Sequence, residues 1–371
     1  MRIAINSLAM KSEFYGGGRY IKNLIRSLSN LDKANEYIIY ASQSGYDEFG
    51  GLGENFQYEF APGSRPLRLA WEQTFLPWDL KRKKVDLFHG PAFITPLWKS
   101  CCYVVTIFDL AYFLTPETDT LAKRVYFRTL MPRVAKKADS VIAISQNTKA
   151  DICELLGVPK SKVAVTYLAA DESFYPRTDS LEFRRVQQKY RLGNRYLLFV
   201  GLIEPRKNLK LLVEAFVRIL GNHPEIKLII GGDLAWGYDD LLGLVRHNHI
   251  QERVLFIGRI APEDLPAVYS HAEAFVYPAL LGGFGLPVLE AMACGTPVIT
   301  ARNSSFPEIV GDAGILVDTQ RADELEEALS LVLTDKELRG RMKEKGLDRS
   351  RLFSWEKTAR ETLEVYRQIS H

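Results

Sequence analysis

Residues 277–299 read YPALLGGFGLPVLEAMACGTPVI and contain the clearest succession of local structure signals in the chain. A glycine-rich loop leads into a short helix that has Pro287 in its first turn and Gly295 as its C-terminal stop. An apolar segment follows the helix and is typical of a buried strand. The order of loop, helix and strand predicts an α/β unit.

The N-terminal end of this short helix is a candidate anion site. Glycines let a backbone fold closely around a ligand, and a helix N-terminus favours negative charge. We expect the anion to meet the backbone amides of Phe284, Gly285 and Leu286. We place Glu290 in the first turn and expect it to bind ribose hydroxyls, because a carboxylate repels phosphate. The alternative is that Glu290 only complements the helix dipole.

Strands and helices alternate on both sides of this stretch, which predicts two doubly wound parallel-sheet α/β domains of Rossmann-like type. Predicted strands in the first series are residues 2–6, 37–41, 87–89, 104–108, 140–144 and 163–167. In the second series they are residues 196–200, 227–230, 254–257, 274–277, 297–300 and 315–317. A charged stretch after Asp171 separates the series. We expect domains at 1–175 and 190–354, with a C-terminal helix at about 355–371 that packs on the first.

Composition excludes several classes of protein. The chain has 371 residues, 47% of them hydrophobic and 25% charged, which is typical of a globular protein. Its net charge of +3 is too small for a protein that mainly binds nucleic acid. Apolar runs fall short of the roughly 18 residues that span a bilayer. The N-terminus is typical of a strand and not of a signal peptide, so we expect a cytoplasmic protein with at most peripheral contact to the inner face of the membrane.

Four scattered cysteines predict neither a disulfide framework nor a metal site. Asp-x-Asp is absent from the sequence, and no His or carboxylate cluster has metal-ligand spacing. We therefore expect no metal and no cofactor. The oligomeric state is left open.

Residues 204–208, EPRKN, follow the predicted strand 196–200. Arg206 and Lys207 thus lie at the carboxyl end of a parallel strand, where ligands of such sheets bind. Cations at a helix N-terminus oppose the helix dipole, so a solvated helix start is the less favoured interpretation. A fork-shaped guanidinium and a point-charge ammonium suit a diphosphate.

Residues 16–19, GGGR, lie between the first predicted strand and its helix. The glycines allow a phosphate to approach the backbone there. A flexible turn is the alternative, since the G-x-G-x-x-G spacing is absent.

The segments GGGRY, VGLIEPRKN, VYP, GFGLPVLEAMACGTPVI and PEIVGDAG occur in this order across nearly the whole chain. Together they resemble the large retaining glycosyltransferase family 4, group 1, which has two Rossmann-like domains (GT-B type). The resemblance implies two domains that face a central cleft. It also implies a nucleotide-sugar donor held mainly by the second domain and an acceptor held mainly by the first.

The resemblance also implies roles for single residues. Catalysis is assigned to Arg206 and Lys207, which would stabilise the departing nucleotide diphosphate, and to Asp109. Donor binding is assigned to Gly17, Gly18, Arg206, Lys207, Ile260, Gly282, Phe284, Gly285, Leu286 and Glu290. Among these, Ile260 lies in the segment GRI at 258–260, which is similar to the base-contacting turn of the family.

Two positions depart from the family pattern. Gly282 stands where the pattern has a glutamate that meets the donor sugar, eight residues before Glu290. Phe108 stands where many members have a histidine before the aspartate that matches Asp109. His89, at a neighbouring strand end, could supply a polar group instead, and the alternative is a structural histidine.

Aromatic and basic residues are frequent in the first predicted domain: Arg65, Arg68, Trp71, Trp78, Trp98 and the run Lys81, Arg82, Lys83, Lys84. Such a combination suits a carbohydrate or lipid-diphosphate acceptor at a membrane surface. The alternative is that the tryptophans belong to the core and the basic run is a solvated helix end.

Our hypothesis is a retaining, metal-independent transferase that moves a hexose from a UDP- or GDP-linked sugar to a saccharide or lipid-linked acceptor. Surface polysaccharide or glycolipid biosynthesis is the pathway that the resemblance implies. The alternative, motivated by Gly282 and Phe108, is a nucleotide-sugar-binding protein of the same fold with weak or no transferase activity. A dinucleotide oxidoreductase fits the fold but lacks the fingerprint.

Overall fold

The computed structural model describes residues 1–8, 16–43, 49–62, 64–92, 95–116 and 121–369. The chain divides into two compact units. The first unit consists of Met1–Leu168 and Ser354–His371, and the second of Ala169–Phe353.

The first unit is built on seven parallel strands. They are β1 (Arg2–Asn6), β2 (Glu36–Ala41), β3 (Phe56–Phe60), β4 (Leu87–Gly90), β5 (Cys102–Ile107), β6 (Ser140–Ala143) and β7 (Val163–Val165). Their order in the sheet is β3-β2-β1-β4-β5-β6-β7. The helices are α1 (Gly16–Leu31), α2 (Arg65–Arg82), α3 (Ala111–Leu114), α4 (Leu121–Lys137) and α5 (Gln146–Leu156), with a 3₁₀ turn at Lys160–Lys162.

The second unit is built on six parallel strands. They are β8 (Tyr196–Val200), β9 (Lys227–Gly231), β10 (Val254–Gly258), β11 (Ala274–Tyr277), β12 (Val298–Ala301) and β13 (Ile315–Val317). Their order is β10-β9-β8-β11-β12-β13. The helices are α6 (Ser180–Tyr190), α7 (Leu209–Ile219), α8 (Asp239–His247), α9 (Leu265–Ser270), α10 (Leu286–Ala293), α11 (Phe306–Val310), α12 (Ala322–Thr334) and α13 (Lys336–Ser350), with a 3₁₀ turn at Pro205–Lys207.

Buried apolar strands and amphipathic helices explain both units. Strand β8, YLLFV, has four fully buried side chains, as expected for a strand covered on both faces. Helix α7 buries seven of its eleven residues in the core of the second unit and leaves polar residues outside. The predicted doubly wound α/β architecture is confirmed for both units.

The last helix, α14 (Trp355–Gln368), returns to the first unit and packs on α1. Trp355 contacts Tyr20 of α1, with ring centroids 6.3 Å apart. Thr358 Oγ1 donates to the carbonyl oxygen of Tyr167 at 2.5 Å. Helix α14 is therefore part of the first unit, although it follows the second unit in the sequence.

Two local predictions need correction. Strand β3, FQYEF, was not predicted, although its strict alternation of apolar and polar residues is typical of a half-buried edge strand. Gly16, Gly17 and Gly18 are not a loop between strand and helix. They are the first three residues of α1, and the apolar face that begins at Tyr20 and Ile21 buries this helix despite the low helix propensity of glycine.

Candidate functional site

The cationic turn after β8 lies at the switch point of the second sheet. Strands β8 and β11 are neighbours in the sheet, although β9 and β10 separate them in the sequence. Ligands of such sheets bind outside the carboxyl ends of the strands at this point. The backbone N–H of Leu280, in the loop after β11, donates to the carbonyl oxygen of Arg206 at 2.9 Å. The structure thus brings the EPRKN segment and the glycine-rich segment together.

One carboxylate faces the two cations of this turn. Arg206 donates from Nε and Nη2 to Glu204 Oε1 at 3.1 and 3.0 Å. Lys207 Nζ lies 3.8 Å from the same oxygen and 5.5 Å from the centroid of the Tyr277 ring. The EPRKN segment carries two cations and one acid, and the Lys207 side chain is only 12% exposed. Two adjacent cations in such a sheltered place are suited to a diphosphate.

Gly285 determines how helix α10 begins. Its φ of +94° lies in the left-handed region that favours glycine, and the helix starts at the next residue, Leu286. Pro287 is in the first turn, as predicted. The side chains of Phe284 and Leu286 are buried, that of Phe284 edge-on against Phe353 with ring centroids 5.8 Å apart. A contribution of Phe284 and Leu286 to anion binding would therefore come from their backbone amides.

Glu290 lies one turn further into this helix than predicted. It is the fifth residue of α10, and the first turn contains no acidic residue. Its side chain is 2% exposed, and Tyr269 Oη donates to Glu290 Oε2 at 3.3 Å. The first-turn position is wrong, and a place beyond that turn does not favour the alternative role as a dipole complement, because the dipole effect falls off within the first turn. The role toward ribose stays a prediction.

Gly282 has no room for a side chain. A Cβ built on this residue would lie 2.5 Å from Cζ of Phe306, whose ring is fully buried. The backbone N–H of Gly282 donates to Ser304 Oγ at 3.3 Å, and Ser305 Oγ donates to the carbonyl oxygen of Gly282 at 2.8 Å. The segment between β12 and α11 therefore fixes the glycine-rich loop. No sequence pattern indicates this contact, because its partners are more than twenty residues apart.

The turn 258–260 has its side chains engaged within the second unit. Ile260 is 6% exposed, and its Cδ1 lies 2.7 Å from the place of a Cβ on Gly231, so its side chain packs against β9. The guanidinium of Arg259 pairs with Asp233. Contact between this turn and a base would therefore involve the backbone of Ile260.

In the first unit, Phe108 packs on the glycine-rich start of α1. A Cβ on Gly17 would lie 3.2 Å from Cε2 of Phe108, and Gly18 is buried. The Phe108 ring stands edge-on to Tyr20 at 5.3 Å between centroids. An apolar ring therefore lies at the position where many family members have a histidine.

Asp109 and His89 differ in accessibility. Asp109 is half-buried, and its Oδ1 accepts a hydrogen bond from the backbone N–H of Ala111, at the start of α3. His89 is fully buried, with Nδ1 2.6 Å from Tyr366 Oη and Nε2 2.8 Å from Thr106 Oγ1. Burial lowers the pKa of His89 to about 3, so the ring is neutral at physiological pH. The structure therefore supports the structural interpretation of His89.

The aromatic and basic residues of the first unit do not form one class. Trp78 and Trp98 are 50% and 59% exposed, and Arg82 lies over the Trp78 ring at 5.3 Å. Trp71 is half-buried against Tyr40, with ring centroids 5.5 Å apart. Lys81, Arg82 and Lys84 are exposed, Lys83 is half-buried, and Arg68 is buried. The side chain of Arg65 lies outside the described residues.

Within the described ranges, no group of three or more His, Cys, Asp or Glu side chains is placed to hold a metal ion. Among the helices of those same ranges, none is both long and apolar enough to cross a bilayer.

Both halves of the chain match known glycosyltransferases. Residues 14–174 match Glycosyltransferase Family 4, and residues 182–349 match Glycosyl transferases group 1. O-antigen chain mannosyltransferase B of Escherichia coli is 29% identical over 383 residues, which cover 100% of both chains.

Solved structures share the fold. Sucrose-phosphate synthase from Thermosynechococcus elongatus superposes with a TM-score of 0.80 at 21% identity, covering 99% of this chain and 98% of that one. Anabaena HepE, solved in complex with UDP and glucose, gives a TM-score of 0.77 at 17% identity and covers 99% and 100% of the two chains. The two sequence matches follow each other along the chain and include the motifs after β8 and β11. The chain belongs to the group 1 glycosyltransferases of family 4.

Proposed function

We propose that this glycosyltransferase moves a hexose from a nucleotide-diphosphate sugar to a saccharide or lipid-linked acceptor, with retention of configuration and without a metal ion. The observation that carries the proposal is the turn of Arg206 and Lys207, which is hydrogen-bonded to the glycine-rich loop at the switch point of the second sheet. A nucleotide diphosphate fits there because the turn places two adjacent cations, Arg206 and Lys207, beside that loop.

Mannose is the hexose that we propose first. Its support is the mannosyltransferase of Escherichia coli, which aligns with the whole chain and is named for an O-antigen chain. That name also supports polysaccharide assembly as the pathway. UDP is the alternative nucleotide to GDP, supported by the HepE complexes with UDP and with UDP-glucose.

The donor would be held by groups from both motifs of the second unit. Arg206 and Lys207 would bind the diphosphate, with the amides of Phe284, Gly285 and Leu286 facing its other oxygens. Glu290 would accept hydrogen bonds from ribose hydroxyls, and the backbone at Ile260 would contact the base. In the first unit, Gly17 and Gly18 would offer the N-terminus of α1 to a phosphate.

Catalysis would depend mainly on the leaving group. Negative charge grows on the departing diphosphate while the sugar becomes oxocarbenium-like, and fixed cations stabilise that charge in the transition state. Neither Gly282 nor Phe108 offers a side chain that could bond covalently to the sugar. Retention would then follow if the acceptor attacks from the face that the diphosphate leaves. Asp109, near the start of α3, would position groups on the acceptor side.

A lipid-linked acceptor is supported by the exposed face of α2. Phe75 and Trp78 are 45% and 50% exposed on this helix, and Lys81 and Arg82 follow them. Aromatic and basic side chains together favour contact with anionic headgroups. We therefore propose peripheral membrane contact through this face.

The test is transfer by the purified protein from GDP-mannose or UDP-glucose to a methyl mannoside. Both donors are α-linked, so retention predicts an α-linked product by proton NMR. A β-linked product would contradict retention. Donor binding without turnover to any acceptor would support the binding protein instead, an alternative that the transferase names of the relatives do not favour.

A second prediction concerns metal ions. Excess EDTA should leave the transfer rate unchanged, because Arg206 and Lys207 supply the positive charge that a bridging ion would otherwise provide. The rate is measured with and without chelator on the same preparation. Loss of transfer in EDTA, restored by Mg²⁺ or Mn²⁺, would show that the two cations are insufficient.

A further inference from the structure

A buried polar cluster lies at the carboxyl end of β1. Asn6, the last residue of β1, donates from Nδ2 to Glu72 Oε1 at 3.0 Å. Arg68, one turn before Glu72 on α2, places Nε 3.8 Å from the same oxygen and donates from Nη1 to the carbonyl oxygen of Leu8 at 2.5 Å. Glu72 is 0% and Arg68 7% exposed.

Two polar atoms of this cluster have no hydrogen-bond partner among the residues that the structure describes. They are Glu72 Oε2 and Arg68 Nε, the two members of one buried ion pair. Buried polar atoms are nearly always hydrogen-bonded, since an unpaired one loses its hydration without compensation. The pKa of Glu72 is raised by burial, against the lowering effects of Asn6 and Arg68. Glu72 Oε2 can therefore accept, and Arg68 Nε can donate, one further hydrogen bond.

The same helix provides a comparison. Asp79 on α2 is also buried, at 2% exposure, yet both oxygens of its carboxylate accept hydrogen bonds. It accepts hydrogen bonds from Tyr40 Oη at 2.8 Å and from Arg82 Nη2 at 2.7 Å, with Lys83 Nζ at 3.3 Å. Its pKa is lowered, because these partners outweigh the effect of burial. A buried carboxylate of α2 can thus be fully paired, and Glu72 differs from Asp79 in this respect.

The cluster lies where a ligand of the first sheet would bind. Strands β1 and β4 are neighbours in the sheet, although β2 and β3 separate them in the sequence. Their carboxyl ends are therefore the switch point of the sheet. Gln73, next to Glu72, holds the segment after β4. It donates to the carbonyl oxygen of Thr95 at 3.2 Å and accepts from the backbone N–H of Leu97 at 2.9 Å. One turn of α2 therefore contacts the segments that follow both strands.

A hydroxyl group matches both unpaired atoms, because it can accept a hydrogen bond from Nε–H and donate one to a carboxylate oxygen. We propose that Arg68 and Glu72 bind a hydroxyl of the acceptor saccharide, with Asn6 orienting the carboxylate. This inference rests on the proposed function. The competing occupant is a buried water molecule, which has the same hydrogen-bonding capacity.

The test compares Glu72→Gln with Asp79→Asn, a matched loss of charge in a buried carboxylate of the same helix. Transfer is measured to methyl α-mannoside and its four monodeoxy derivatives, from whichever of GDP-mannose and UDP-glucose the wild type uses. We expect Glu72→Gln to raise the acceptor KM by about 10- to 100-fold, as for loss of a hydrogen bond to a charged group, and to leave the donor KM unchanged. Asp79→Asn should lower Tm with no effect on the acceptor KM.

The deoxy series identifies the hydroxyl. With the wild type, one monodeoxy acceptor should have a KM raised by about the same factor as Glu72→Gln raises the KM of the parent acceptor. With Glu72→Gln, removal of that same hydroxyl should raise the KM no further. If the effects of Glu72→Gln and of each hydroxyl removal on KM simply multiply, water and not the acceptor occupies the cluster. An acceptor KM that Glu72→Gln leaves unchanged would mean the same. If the variant folds poorly, the wild-type series still tests the inference, because equal KM values for the parent and all four monodeoxy acceptors would contradict it. Absence of transfer by the wild type to any acceptor would instead remove the proposed function, and this inference with it.

Discussion

Replacement of Lys207 by alanine should weaken the binding of a nucleoside diphosphate by about 10- to 100-fold, the effect of losing a charge-assisted hydrogen bond. Arg206 and Lys207 both lie close to Glu204, and the variant removes one of the two positive charges of this turn. The transfer rate should fall further, by about 10²- to 10³-fold, because negative charge grows on the diphosphate as it leaves. Arg206→Ala should act in the same direction.

The matched control for this prediction is Lys210→Ala. Lys210 lies three residues further on and pairs with Asp240 at 3.0 Å on an exposed surface. Its loss should change neither binding nor transfer, since exposed ion pairs contribute little. Calorimetric titration with the nucleoside and with its diphosphate provides the measurement. Only the diphosphate should respond to Lys207→Ala, and equal losses for both ligands would contradict a role at the phosphates.

Much of this candidate site is predictable from sequence because its segments are local. EPRKN follows β8 directly, and the glycine-rich segment follows β11. The carboxyl ends of parallel strands meet at one edge of a sheet. The proximity of the two segments can therefore be predicted without knowing how any side chain packs. Strand β3 was missed because it alternates apolar and polar residues, unlike the continuous apolar runs of the buried strands.

The unpredicted features all depend on contacts between distant residues. Arg68 and Glu72 have helical spacing, which indicates an ion pair, but no pattern indicates that the pair is buried and incomplete. His89 was ambiguous because its partner Tyr366 comes from the other end of the chain. Glu290 was placed in the first turn, but the helix already begins at Leu286, so Glu290 is its fifth residue and lies just beyond that turn.

Gly282 shows most clearly how packing changes the meaning of a sequence position. Seen from the sequence, Gly282→Glu restores a missing family carboxylate. In the structure, the new Cβ would lie 2.5 Å from the buried ring of Phe306, which also lies 2.9 Å from the place of a Cβ on Gly285. Phe306 cannot move freely, since it stands edge-on to Tyr277 with ring centroids 5.8 Å apart. The substitution therefore tests packing before it tests catalysis.

We expect Gly282→Glu to lower the free energy of unfolding by about 1–3 kcal/mol, the usual cost of overpacking a core. Gly243→Glu is the matched control, because a Cβ on Gly243, within α8, meets no atom within 4 Å. That change should be neutral or slightly stabilising, since glycine is a poor helix former. Denaturant unfolding measures both variants. A Gly282→Glu variant as stable as the wild type would contradict the contact with Phe306.

The double variant Gly282→Glu with Phe306→Leu separates space from chemistry. Phe306→Leu alone leaves a cavity and should destabilise the second unit, but the smaller side chain makes room beside residue 282. The double variant should therefore be more stable than the sum of the single effects predicts, by about 0.5–3 kcal/mol, as for residues in contact. Additive effects would show that the two positions do not compete for space. With room provided, transfer from a hexose donor becomes informative. A rate above that of Phe306→Leu alone would mean that residue 282 faces the donor sugar and lacks its carboxylate, whereas an unchanged rate with every donor would mean that this glycine serves only the packing of Phe306.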